Sequence, residues 1–226
     1  MLNMKAVIFD LDGTLIDSLP DVIESLNTVL ERAGRRRITK NEARAMIGGG
    51  AEPLIQQAFS LTGNEVNPAE VKRFVEEFLQ EYSENPATKT RLFEDVRYVL
   101  KKFIDDGLKL GICTNKPHAM AHRVMNELNL TKYFDSCVGK GLLPFSKPDQ
   151  RHYEHVVNEI GVSKGETTYV GDSETDVQTA RNAGVPVVLV SFGYSRAPAH
   201  ILGADFVINR FSELPETLLK IPVRIK

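Results

Sequence analysis

Four short apolar runs, each closed by a polar residue, constrain this chain more than any other feature. They are residues 5–10, closed by Asp10; Leu108–Cys113, followed by Thr114; Thr167–Val170, followed by Gly171 and Asp172; and Pro186–Val190, followed by Ser191. None alternates apolar with polar residues. That is the pattern of parallel strands covered on both faces. Helical spacings separate them, at Phe93–Asp106, His118–Leu128, Gln150–Ile160 and Asp176–Ala183. Phe134–Val138 and Phe206–Ile208 read as shorter strands.

Residues 17–85 do not share this alternation. Asp17 or Ser18 starts a helix over 20–33, with Val22, Ile23, Leu26, Val29 and Leu30 at helical spacing. Thr39 and Glu42 form a capping-box pattern for a short helix that ends at Gly48-Gly49-Gly50. Further helices follow from Ala51 and over 68–82, and Asn85-Pro86-Ala87-Thr88 reads as a linker. Strands alternating with helices predict an α/β fold with a Rossmann-like three-layer α/β/α core around a parallel sheet. The all-helical block is then a small cap domain, inserted after the first strand. The expected division is 1–16 with 86–226 for the core and 17–85 for the cap.

Composition narrows the function classes. The 226 residues are 42% hydrophobic and 26% charged, an ordinary globular balance. A formal net charge of −2 gives no bulk attraction to nucleic acid or anionic lipid. No apolar run approaches the roughly 20 residues of a membrane span. The opening residues lack the longer apolar core of a signal peptide, so a cytoplasmic location is expected. Cys113 and Cys137 are too few for a disulfide framework and lie in apolar runs, as small buried hydrophobes do. The expected assembly is a monomer or a homodimer.

Ligands bind parallel α/β sheets beyond the carboxyl ends of the strands, where the polar residues of this chain fall. Asp10 and Asp12, two residues apart, leave a strand close together and repel unless a cation or a shared proton lies between them. Asp172 joins them as a third carboxylate. Such a group suits Mg²⁺, which takes one or two carboxylates plus substrate phosphate. Asp176, one helical turn on, either reaches the same cation or holds the Asp172 loop. Thr114 and Asn115, where a strand meets a helix, suit a phosphate. Lys147, in a loop before Pro148, can neutralise a transferring phosphoryl group. Arg44 and the stretch 46–52, Gly49 included, are the candidates for reading the leaving group from the cap.

Asp10-Leu11-Asp12-Gly13-Thr14-Leu15 resembles the first motif of the haloacid dehalogenase-type phosphatases. Thr114-Asn115-Lys116 resembles the second motif, Ser146-Lys147-Pro148 the third, and Gly171-Asp172-Ser173-Glu174-Thr175-Asp176 the fourth. The order matches across nearly the whole chain, and the helical block resembles the cap of that superfamily. One departure is Asp149-Gln150 after Pro148, where members often carry a second proline. The resemblance implies that Asp10 is the nucleophile and forms an aspartyl-phosphate. It implies that Asp12 is the acid and base, and that Mg²⁺ sits on Asp10, the Asp12 backbone carbonyl and Asp172. Thr114 and Lys147 would hold the phosphoryl group, and Gly13 would allow a sharp turn. Met46–Glu52 and Ser191–Tyr194 are similar to members acting on phosphoglycolate. That makes phosphoglycolate the first candidate among small phosphorylated metabolites.

Three other readings use similar residues. A dehalogenase lacks the second acid, so Asp12 argues against it. A sugar-phosphate mutase shares all four motifs and differs in its cap. A phospho-accepting signalling module has neither Asp12 nor a helical insertion. His118/His122 and His152/His155 have metal-like helical spacing but no accompanying acid, and are expected on exposed helix faces.

Overall fold

The computed structural model describes residues 4–44 and 46–221. In chain order the elements are β1 (Ala6–Phe9), β2 (Ile16–Asp17), α1 (Leu19–Arg32), α2 (Lys40–Arg44), α3 (Ala51–Thr62) and α4 (Pro68–Glu84). Then come β3 (Arg91–Leu92), α5 (Val96–Asp105), β4 (Lys109–Pro117), α6 (His118–Glu127), β5 (Ser136–Lys140) and α7 (Gln150–Ile160). The chain continues through β6 (Thr167–Gly171), α8 (Glu174–Ala183), β7 (Val187–Val190), β8 (Phe206–Ile208) and α9 (Leu214–Leu219).

Six strands form one parallel sheet in the order β5-β4-β1-β6-β7-β8. β1 has β4 on one side and β6 on the other, so the strand order reverses at β1. Its side chains alternate between the two faces. Val7 and Phe9 join a core that includes residues of α5, α6 and α9, while Ala6 and Ile8 join one that includes residues of α7 and α8. These are the three expected layers. The helical insertion is also present: α1 packs on α2 and α4, and α3 packs on α4. Its buried residues Leu26, Phe59, Phe74 and Phe78 belong to the same apolar cluster as Val7 and Phe9.

Several local readings change. β2 and β3 pair antiparallel where the chain enters and leaves the helical block. Two-residue strands have no periodicity to reveal them. β4 runs on to Pro117, beyond the expected end at Cys113, with a register shift between Cys113 and Pro117. α2 spans Lys40–Arg44, and residues 46–49 are turn and bend rather than the expected continuation to the glycines; α5 starts at Val96. Ser18 stands at the N-cap of α1, yet its hydroxyl makes no capping bond. His152 is fully buried rather than exposed, and His155 pairs with Glu159. Among the described residues no helix is long and apolar enough to cross a membrane.

The two crossings are tied together by Asp21, a buried carboxylate in the first turn of α1. It accepts hydrogen bonds from the Lys89 N–H at 2.9 and 3.0 Å, from the Thr90 N–H at 2.7 Å and from Thr90 Oγ1 at 2.6 Å. Asp21→Ala leaves the buried Thr90 donors unpaired, and should lower stability by about 2–4 kcal/mol in urea denaturation. A loss below about 0.5 kcal/mol, the range of an ordinary surface substitution, would remove Asp21 from this role.

Candidate active site

The carboxyl ends of β1 and β6 and the loop before α7 bring four of the polar groups together. Asp10, just beyond β1, and Asp172 and Asp176, beyond β6, place carboxylate oxygens within 4.8 Å of one another, all buried. Lys147 reaches the same place from the loop before α7. Its Nζ lies 2.7 Å from Asp176 Oδ1, 3.0 Å from the Tyr169 hydroxyl and 3.0 Å from Asp10 Oδ1. The Asp10 contact lies outside hydrogen-bonding geometry, and buried Asp10 Oδ1 has no hydrogen-bond partner.

Glycines make this crowding possible. A Cβ at Gly13, where φ is +84°, would lie 2.4 Å from Asp172 Oδ2. A Cβ at Gly193 would sit 2.2 Å from the Cβ of Asp172, and one at Gly171 would sit 2.4 Å from Asp176. Gly13 therefore serves the approach of Asp172 as well as the turn.

The three carboxylates differ in their partners. Asp172 accepts a hydrogen bond from the Tyr194 N–H at 2.6 Å and one from Thr14 Oγ1 at 3.4 Å. Burial raises its pKa well above the ordinary value, and Asp176 and Asp10 add to that. Burial likewise pushes Asp10 up to about 6, with Lys147 opposing and Asp176 and Asp12 adding. Asp176 shifts the other way. Burial would raise it, but Lys147 and bonds from Ser173 and the Asp172 N–H outweigh that. Its Oδ1 accepts from Lys147 and Tyr169, and its Oδ2 from the N–H groups of Asp172 and Ser173 and from Ser173 Oγ. Asp176 thus fixes the turn that carries Asp172. Three buried carboxylates against one ammonium fit a hard divalent cation with oxygen ligands.

A second polar group lies beside the first. The Asp12 carboxylate accepts from Ser18 Oγ at 2.5 Å and from Lys116 Nζ at 3.0 and 3.2 Å. Lys116 also donates to the Tyr82 hydroxyl at 2.8 Å. Burial alone would lower the lysine pKa, but Asp12 and Tyr82 more than offset it and raise it. Asp10, Asp12, Ser18, Tyr82, Thr114, Asn115 and Lys116 border a cavity of about 70 Å³. Its remaining wall is mostly apolar, from Val22, Ile47, Leu54, Phe78 and Leu79 of the helical insertion and Pro117 of β4.

Thr114 Oγ1 accepts from the Lys116 N–H at 3.2 Å. Asn115 donates to the Lys147 carbonyl at 3.2 Å, and its buried Oδ1 has no partner. Gly48 and Gly50 line the cavity; Gly49 and Arg44 do not. Gly49 is exposed. Arg44 instead donates to the carbonyls of Phe192 at 3.0 Å and of Gly193, joining the insertion to the loop after β7. Its basic side chain offers no sequence cue to separate this role from leaving-group contact.

Ser18, Tyr82 and Lys116 are the residues that sequence reasoning missed. Ser18 looks like a helix cap. Tyr82 continues the stripe of Val71, Phe74, Val75, Phe78 and Leu79 at helical spacing, and so reads as core. Lys116 lies within a motif whose Thr and Asn draw attention first.

Residues 7–190 match the family model described as haloacid dehalogenase-like hydrolase. The chain belongs to the haloacid dehalogenase-like hydrolase family. Among its relatives, a Caulobacter vibrioides protein named phosphoglycolate phosphatase is 35% identical, over 96% of this chain and 92% of that one. A Mesorhizobium japonicum protein of the same name is 34% identical over 97% and 98%. A crystal structure of a predicted phosphoglycolate phosphatase from Haemophilus somnus superposes with a TM-score of 0.90 at 29% identity, covering 96% of this chain and 99% of that one. Relatives this similar over nearly their whole length set this hydrolase among the phosphatases of the family.

The Asp10 environment has a measurable consequence. Its native pKa of about 6 lies above the ordinary 3.8, so the native state holds a proton that the unfolded state has lost. Without divalent cation, this group's contribution to stability therefore falls as pH rises through that window. Asn does not titrate. Asp10→Asn should gain on the wild type by on the order of 3 kcal/mol between about pH 4 and pH 7, in urea denaturation with chelator present. A difference that does not change with pH would contradict the buried, cation-deficient environment of Asp10.

Proposed function

We propose that this enzyme is a Mg²⁺-dependent phosphomonoester hydrolase working through a phosphoenzyme on Asp10, with phosphoglycolate as its leading substrate. The observation that carries the reading is the paired arrangement of Asp10 and Asp12 at one small cavity. Asp10 presents a buried oxygen whose one close partner is the Lys147 ammonium, and Asp12 beside it is held by Ser18 and Lys116.

In the first step an Asp10 oxygen attacks phosphorus, and the bond from phosphorus to the alcohol oxygen breaks. The Asp12 carboxyl gives its proton to that leaving oxygen. In the second step water attacks the same phosphorus and Asp12 takes its proton. The bond to Asp10 breaks, releasing inorganic phosphate and restoring the carboxylate. Asp10, Asp172 and the Asp12 backbone carbonyl would hold Mg²⁺, which when bound supplies the positive charge that three carboxylates and a phosphoryl group need. Asp176 acts by holding the Asp172 turn and Lys147. Lys147 faces Asp10, and Thr114 borders the cavity, positions suited to the charge and hydrogen bonds of a transferring phosphoryl group.

Residues 17–85 act as a cap domain that excludes water and bounds the leaving group, with 1–16 and 86–226 as the core. The names of the relatives support phosphoglycolate over a sugar phosphate. Activity should fall at least ~100-fold in EDTA and return with Mg²⁺. In a screen of phosphorylated small acids, alcohols and sugars, phosphoglycolate should give the highest kcat/KM. Full activity in chelator would refute the metal role; a sugar phosphate at the top would refute the substrate.

A further inference from the structure

We propose that Lys116 determines substrate specificity: its ammonium binds a carboxylate carried by the leaving alcohol. This inference rests on the reading of Asp10 as nucleophile and Asp12 as proton donor.

Lys116 is the only positively charged side chain among the described residues that line the cavity. It enters from the end of β4, where the register shifts, and its side chain is 4% exposed. Its partners are Asp12, at 3.0 and 3.2 Å, and the Tyr82 hydroxyl, at 2.8 Å. Tyr82 comes from α4, so the lysine is held between sheet and insertion. Its Nζ also lies 4.7 Å from the centre of the Tyr82 ring.

The wall around this ammonium is otherwise short of polar partners for a leaving group: Ser18 and Tyr82 are neutral, and Val22, Ile47, Leu54, Phe78 and Leu79 are apolar. A leaving group that carries its own carboxylate can pair with Lys116 in this water-poor setting, where such a contact is worth more than in bulk solvent. A neutral leaving group of the same length cannot. The expected ligand class is thus a phosphate ester of a short hydroxy acid. Discrimination arises because only the acid ester gives the buried ammonium a charged partner on the substrate.

Arg44, the other cation considered for this role, is committed to the Phe192 and Gly193 carbonyls and does not reach the cavity wall. Lys147 faces Asp10 and Asp176. Neither is available to a group on the leaving side.

The test compares kcat/KM for phosphoglycolate and for ethyl phosphate, which keeps the two-carbon leaving group but lacks the carboxylate. Wild type should favour phosphoglycolate by about 100-fold or more. Lys116→Met should reduce that ratio to within about 10-fold, and Lys116→Arg, which keeps the charge, should hold it above that level. Lys116→Gln, which retains a donor for Tyr82, provides the same ratio should the Met variant not fold. A Met or Gln variant that turns over and keeps the full preference would overturn the role of Lys116 while leaving the substrate reading intact. A wild type that hydrolyses both esters equally would overturn the phosphoglycolate reading, and this inference with it.

Discussion

Lys147 sits where three buried carboxylates meet, and the geometry of the site depends on that one ammonium. Its bonds to Asp176 and Tyr169 and its contact with Asp10 join the loop before α7 to the ends of β1 and β6. Removing one member of such a buried set strands the others, which is far more damaging than losing an exposed ion pair. The set is nevertheless short of positive charge. Burial raises both Asp10 and Asp172, whereas Asp176, which takes the direct bond from Lys147, is lowered. The carboxylates are therefore unequal before any ligand arrives. Both oxygens of Asp176 are filled by hydrogen bonds, whereas Asp10 Oδ1 has only the ionic contact with Lys147.

A second ion pair repeats this arrangement on the leaving-group side of the cavity. Lys116 and Ser18 hold Asp12, and Tyr82 holds Lys116. This chain of contacts runs from the loop after β1 through the end of β4 to the last helix of the insertion. The helical block therefore contributes a polar contact to the site as well as an apolar wall. Arg44 provides a separate tie to the loop after β7. The loop after β7 also carries Gly193 and Tyr194, which pack against and bond Asp172. Insertion and fourth motif are thus linked through one short segment.

The fold was legible because its signals are local and repeated. Unbroken apolar runs, helical spacings between them and a strandless block from 17 to 85 leave little besides a parallel sheet with a helical insertion. The convergence of strand-end carboxylates follows from the same topology, since parallel strands deliver all their ends to one edge. Partner choice was not legible. Nothing local says that the Ser18 hydroxyl goes to Asp12 rather than to its own helix. Nothing local separates Tyr82, a hydroxyl over a lysine, from Phe78 one turn before it. Arg44 and His152 make the same point. An arginine beside a glycine-rich loop suggests a ligand contact, and a histidine among Gln150, Arg151 and Glu154 suggests exposure; tertiary packing decided both. The β2–β3 pair escaped for a simpler reason, being two residues long and defined only by pairing between Ile16-Asp17 and Arg91-Leu92, far apart in sequence.

The central claim is that Asp10 carries the phosphoryl group, and chemical trapping tests it most directly. Acid quenching during turnover of phosphoglycolate with Mg²⁺, followed by borohydride reduction and peptide mass spectrometry, converts an aspartyl-phosphate to homoserine. Homoserine at position 10, with Asp12, Asp172 and Asp176 unchanged, is the predicted result. Reduction at any of those other carboxylates, or at none while turnover proceeds, would contradict it.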